Sequence, residues 1–194
     1  MNISAVIPFI IMLVIYGCGN KANKTKAVIA DIDSVKMVLV SLQDSTSKTW
    51  QTMIREDDQK IIYLKRLIDE VSYTKVYDKA VYDSLVAGIE NLKAIRYDQN
   101  SMADSDKIDL YDETTAEMVN KVITFAQNHP NYEDYPIMAE LINDILDADN
   151  KVIYRRVDYD NIAIEYNKFI QHNQDLIRKS GNVVSAKPLF QLSE

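Results

Sequence analysis

Cysteine is almost missing from this chain: Cys18 is the only one, so no disulfide can close within it and no zinc knuckle can be built from its thiols. Glycine and proline are also scarce, with four of each, and a chain so rarely punctuated is expected to run in long elements. It has no Gly-rich phosphate loop, which removes the common nucleotide-binding signature. Its two histidines, His129 and His172, stand outside any Glu-x-x-His or His-Glu-x-x-His pattern, so the carboxylate–histidine metal site of helical bundles cannot take its usual form. They read as a helix-turn and a helix-surface histidine. Positive charge is in deficit, the net charge being −7, and an acidic surface excludes a general nucleic-acid binder.

A run of apolar residues long enough to span a bilayer is missing too. Ile3 to Gly17 is apolar apart from Ser4, but as a helix it reaches only about 22 Å against a hydrocarbon core of ~30 Å, and Pro8 interrupts it. Ile15-Tyr16-Gly17-Cys18 resembles a lipobox, at which bacteria acylate the cysteine and cleave just before it. The reading is therefore a signal peptide over 1–17, cleavage between Gly17 and Cys18, and a protein held to the membrane by lipid on Cys18; the alternative is an uncleaved short anchor, since no lysine or arginine precedes the apolar run. Residues 18–27, with three lysines, read as a polar tether that can lie near anionic head groups.

What the chain has in quantity is helical periodicity. Val35, Leu39, Leu42, Trp50 and Met53 fall on one face of a helix expected from about Val28 to Ile54. Glu56-Asp57-Asp58 suits a helix start or a bend, after which Ile61, Leu64, Leu67, Ile68 and Val71 resume the pattern. Asp78 can cap a renewal carrying Val81, Leu85, Ile89 and Leu92, giving a kinked helix to about Arg96. Tyr97 to Leu110 has the least regular pattern. A helix from about Tyr111 to Asn128 is ended by His129-Pro130, and Pro136 is well placed to open the next.

From Pro136 to about Arg178 the chain has neither glycine nor proline. Steps of three and four residues from Met138 lead through Leu141, Ile145, Ala148, Val152, Arg155, Tyr159, Ile162, Tyr166, Phe169, Asn173 and Leu176. Ile142, Leu146, Ile153, Ala163, Ile170 and Ile177 lie beside this seam and widen the apolar face. Only another long helix can cover it. The expected fold is all-α, an elongated antiparallel bundle of about four long helices over residues 28–178, with a C-terminal tail over 179–194. Polar seam residues are expected to bond to neighbouring helices and fix register.

The same helix carries a family resemblance. Asp149-Asn150-Lys151-Val152-Ile153-Tyr154-Arg155-Arg156-Val157-Asp158-Tyr159-Asp160, followed by Tyr166-Asn167, resembles the LemA family, whose C-terminal helix reads E-N-R-I-x-x-x-R-x-x-Y-N and then Y-N. Asn150, Arg156, Tyr159, Tyr166 and Asn167 match in register. Tyr135-Pro136 is similar to that helix's Y-P-x-L start. Trp50 with Leu67, Ile68 and Val71 resembles the family's tryptophan and L-V-x-x-V spacing, and Lys187-Pro188-Leu189-Phe190 its K-P-x-x-F-E ending. The resemblance implies a helical bundle held to the membrane by its N-terminal segment, with no established enzymatic activity and with the matched residues serving structure or partner binding.

The function expected from these readings is a non-catalytic, membrane-tethered scaffold or adaptor in the bacterial cell envelope. Its bundle would lie outside the cytoplasm, its partners would be the membrane and another envelope protein, and no cofactor or metal is expected. The alternative is an envelope hydrolase or small-ligand carrier with a cleft between helices, using carboxylates such as Asp158 and Asp160 as acid and base. Asp104-x-Asp106 imitates the opening of a calcium loop, yet Asp109 and Thr115 stand where glycine and glutamate belong.

Overall fold

The computed structural model describes residues 20–190, with side-chain surroundings from residue 31 onward. Gly17, Cys18, the signal segment and residues 191–194 lie outside the described residues. The chain forms α1 (Asn20–Tyr73), α2 (Lys79–Ile95), α3 (Ser105–Gln127), α4 (Pro136–His172) and the short α5 (Gln174–Lys179), with no strand among the described residues. The all-α reading holds.

α1 and α4 are the two long members. At 54 and 37 residues, they extend about 80 Å and 55 Å. They run antiparallel, Lys60 of α1 reaching Asp149 of α4 while Trp50 meets Tyr159. α2 and α3 form a second hairpin packed along the C-terminal half of α1. The main core lies between these four helices, and Leu64, Leu67, Val71, Ile89, Leu92, Val122 and Met138 are wholly buried in it. Beyond the reach of α2 and α3 a smaller cluster of Val35, Leu39, Leu42, Tyr166 and Ile177 joins α1 to α4 and α5. Thr46 is buried between these regions, its hydroxyl returned to the Leu42 carbonyl at 2.7 Å.

The boundaries follow local chemistry in several places. Asp78 caps α2, its carboxylate accepting from the Ala80 and Val81 amides at 2.8 and 3.1 Å. α4 opens on Pro136, where a missing N–H costs nothing. α1 ends in the weak helix formers Ser72-Tyr73-Thr74, and Lys75 takes φ 60° to reverse the chain.

Five expectations are corrected. α1 is helical from Asn20, eight residues before the start expected near Val28. α1 also runs unbroken through Glu56-Asp57-Asp58, because Asp57 finds cationic partners inside the bundle. The expected kink before Asp78 is a full reversal, with α2 folded back on α1 through Tyr82–Asp69 and Lys65–Glu90 contacts of 3.0 and 3.5 Å. α3 starts six residues earlier than expected, at Ser105, and the supposedly irregular stretch before Tyr111 buries Tyr97, Met102 and Ile108. α4 stops at His172, where Asn173 turns its amide nitrogen back onto the Phe169 carbonyl at 2.9 Å.

The α4 seam also drifts. Arg156 and Ala163 are buried where Arg155 and Ile162 were expected, and Leu146 and Ile153 face solvent. A strict 3.5-residue step departs by about 20° per heptad from a straight helix of 3.6 residues per turn, enough over three heptads to move the inward position by one residue.

Candidate functional site

The waist of the bundle, where α1, α3, α4 and the segment after α2 meet, concentrates the aromatic and charged side chains. Trp50 lies edge-on to Tyr97 and Tyr159, at centroid distances of 6.2 and 5.5 Å, and stacks on Phe190 from the C-terminal tail at 6.2 Å with 11° between planes. Tyr97 in turn stands perpendicular to Tyr111 at 5.6 Å. Edge-to-face packing suits the ring quadrupoles and adds to the area these rings bury.

Two ionic groups flank the rings. Arg156 holds Asp112 of α3 through two parallel hydrogen bonds of 2.6 Å, donates a third to the Tyr97 hydroxyl at 2.8 Å, and places its guanidinium 5.0 Å from the centre of the Phe190 ring. This is the bidentate geometry for which arginine is suited. Burial works against its charge, but Asp112 and Tyr97 outweigh it and raise its pKa. On the other side Asp57 is buried with Lys60 at 3.2 Å, Arg96 at 2.9 Å and the Tyr111 hydroxyl, which donates to it. Lys60 also reaches Asp149, and Arg96 reaches Asp58. Burial would push the Asp57 carboxyl up; Lys60, Tyr111 and Arg96 together hold it below the usual carboxylate value. Burial pushes the Tyr97 and Tyr111 phenols well up, reinforced at Tyr111 by the Asp57 charge. Asp57 thus stays ionised at neutral pH while the phenols stay protonated, and ion pairs and hydrogen bonds tie the helices together across the waist.

The residues singled out by the family pattern separate into three roles. Arg156, Tyr159 and Tyr166 are buried and tie α4 to the waist and to the distal cluster. Asn167 faces the tail, accepting from the Lys187 amide at 2.7 Å and donating to its carbonyl at 2.8 Å. Asn150 is exposed on the outer side of α4. Asp158 and Asp160 are not brought together: Asp158 pairs with Arg155 at 2.9 Å, whereas Asp160 accepts from the Phe190 amide at 2.9 Å.

His129 is buried at the other end of the bundle. Its Nδ1 accepts from the Asn131 amide at 3.0 Å, which places the proton on Nε2, 2.7 Å from the Val76 carbonyl and 2.8 Å from the Thr74 hydroxyl. It therefore fastens the turn between α1 and α2 to the end of α3. His172 is exposed, with its Nδ1 2.7 Å from the Lys168 carbonyl. Asp104 precedes α3 and pairs loosely with Lys107 at 3.9 Å. No group of three or more histidine, cysteine or acidic side chains converges on a metal position among the described residues.

A groove of about 900 Å³ opens between α2 and α3, with Val81, Leu85 and Phe125 in its mainly apolar walls and Asp78, Glu117 and Lys121 at its lining.

Asp57, Lys60, Arg96, Tyr97, Tyr111 and Asp112 escaped the sequence reading. Asp57 and Lys60 did carry a signal: they are in phase with Met53, Ile61 and Leu64, so two opposite charges occupy inward positions of α1. Tyr97 and Arg96 follow the end of α2 and belong to no periodic pattern. No family model matches this chain, and neither a curated protein nor a solved structure matches it.

Proposed function

We infer that this protein is a membrane-tethered, non-catalytic scaffold or adaptor, a LemA-like lipoprotein of the bacterial cell envelope with its bundle outside the cytoplasm and its lipid anchor on Cys18. The observation that supports it best is how the waist uses its charges: Arg156 with Asp112, and Asp57 with Lys60 and Arg96, bridge different helices or turns of one helix and set their register. Side chains used this way make a stiff body whose outer faces are left for partners. The anchor rests on the lipobox-like Gly17-Cys18 and the short apolar run before it; no described helix is long and apolar enough to cross a membrane.

The direct experiment is metabolic labelling with an alkyne fatty acid, followed by membrane fractionation. Wild type should be labelled and sediment with membranes, and Cys18→Ala should do neither. Equal labelling of the two would overturn the anchor, and a conservative change at Asp158 that abolished function in a folded, attached protein would overturn the scaffold. One feature favours a carrier as the second reading, the apolar groove between α2 and α3. A saturable increase in the fluorescence of an apolar probe, lost in Leu85→Glu, would support it.

A further inference from the structure

The C-terminal tail is bound to the bundle in the way a bundle would bind a foreign peptide. Residues 187–190 lie along α4, and most of the hydrogen bonds that hold them use their main chain. Asn167 takes both the amide and the carbonyl of Lys187, Asp160 takes the Phe190 amide, and the Tyr159 hydroxyl donates to the Pro188 carbonyl at 3.3 Å. Side-chain selection rests mainly on Phe190, which fills a cage of Trp50, Tyr97 and Tyr159 beneath the Arg156 guanidinium, while Leu189 packs against the main core and Lys187 places Nζ 5.9 Å from the centre of the Tyr166 ring. Main-chain hydrogen bonds with one anchoring side chain are the general mode by which extended peptides are captured.

The cage is held together by contacts other than those to Phe190. Arg156 is fixed by Asp112 and Tyr97, and Trp50 packs directly on Tyr97 and Tyr159. The connector is held less closely: from Gly181, at φ 81°, it runs through exposed Asn182, Val183, Ser185 and Ala186, with Val184 half-buried against the distal cluster. A left-handed φ favours glycine, so this hinge is built into the backbone. From Gly181 to Lys187 an extended chain reaches about 20 Å, enough to cross to a neighbouring molecule. A preformed slot, a short peptide with one principal anchor and a connector packed only through Val184 are conditions under which an element exchanges between identical chains at low cost.

We propose that Asp160, Asn167 and the Trp50–Tyr97–Tyr159 cage form a receptor site for an extended Pro-x-Phe peptide, filled in cis by this chain's own tail and open in trans to the tail of a second copy. The site goes beyond the tethering reading and does not depend on it.

Trp50 is the only tryptophan and touches the anchor, so its emission reports occupancy. The acceptor is the full chain with Phe190→Ala, whose slot is intact and whose tail has lost its anchor; its emission should move to the red as water reaches the indole. The donor is the full chain with Trp50→Phe and Asn167→Ala, which has an intact tail, a weakened slot and no tryptophan of its own. Titrating donor into acceptor should return the emission toward the wild-type position and produce a heterodimer in sedimentation velocity, and a donor that also carries Phe190→Ala should do neither. A Val183–Phe190 peptide should restore the emission as the donor does. Where circular dichroism shows that Phe190→Ala has lost helix, Phe190→Leu, which fills more of the cage, serves as acceptor. Absence of recovery with both donor and peptide overturns the site. Recovery with the peptide but not with the donor chain overturns the second copy as its occupant.

Discussion

Arg156 and Asp112 face each other across the α3–α4 interface with unequal exposure: the arginine side chain is 9% exposed and the aspartate 41%. Breaking the pair from either side therefore has different consequences. In a Tyr97→Phe background, where no buried hydroxyl loses its donor, Arg156→Met leaves only a carboxylate that water can reach and fills the vacated space, so the loss should be near the value of a charge-assisted hydrogen bond, about 2 kcal/mol. Asp112→Ala strands a buried guanidinium and should cost more, about 3 to 5 kcal/mol. Urea unfolding followed by circular dichroism measures both; equal losses would show that the guanidinium finds water or another acceptor.

Asp57 gives the fold an acid limb. Its folded pKa lies below the unfolded value, so its contribution is fully present above the ordinary carboxylate range near 4 and is lost as pH falls from there through the lower folded value. The groups facing it are Lys60, Arg96 and Tyr111; Arg96 and Tyr111 have their pKa values raised, so neither gives up its proton in that window and the loss follows the carboxylate. Unfolding free energy measured between pH 7 and 3 should decline at the acid end in wild type and less steeply in Asp57→Asn, which should itself be less stable at pH 7. Parallel curves for the two proteins would remove Asp57 from the acid limb.

His129 and His172 should separate cleanly. His129→Ala removes a buried side chain that bonds to Val76, Thr74 and Asn131, and should lower stability by about 1 to 3 kcal/mol. His172→Ala alters an exposed side chain and should stay within about 0.5 kcal/mol of wild type. Thermal melts of the two variants check the contrast.

Gly88 lies under Met118, where an added Cβ would meet Cε at 2.2 Å and Sδ at 3.3 Å. The obstacle is the end of a flexible side chain, and replacing glycine within a helix by alanine gains about 1 kcal/mol. Gly88→Ala should therefore be close to neutral, and Gly88→Ala with Met118→Val more stable than Gly88→Ala alone. Destabilisation of both by several kcal/mol would mean that α2 and α3 cannot adjust.

Local signals made much of this fold legible. Asp78, Pro136 and His129-Pro130 act where capping and proline chemistry place them, and most inward positions of α1 follow the apolar period. The waist was harder to read because its stability is non-local. Asp57 looks like a solvated acid beside Glu56 and Asp58 until Arg96 and Tyr111 arrive from other elements. Phe190 follows Gly181 and the short connector Asn182-Val183-Val184-Ser185-Ala186, and nothing in the periodicity of those residues announces that it returns to Trp50. Arg155 and Arg156 are neighbours of the same type, so only the true helical pitch decides which one turns inward.

The length of α1 has a mechanical consequence. About 45 Å of helix separates Asn20 from Trp50, and along it the first buried side chain described is Val35, where α4 and α5 begin to brace the helix. Were Cys18 held in a bilayer, the waist and its tail slot would stand off from the lipid surface by up to that distance, on a spar braced by α4 and α5 from Val35 onward. Bending ahead of the braced part would swing the slot and lower it together, so the helix length sets its greatest height. Shortening α1 by whole heptads ahead of Val35 would lower that height in steps of about 10 Å without rotating the slot far from its original direction.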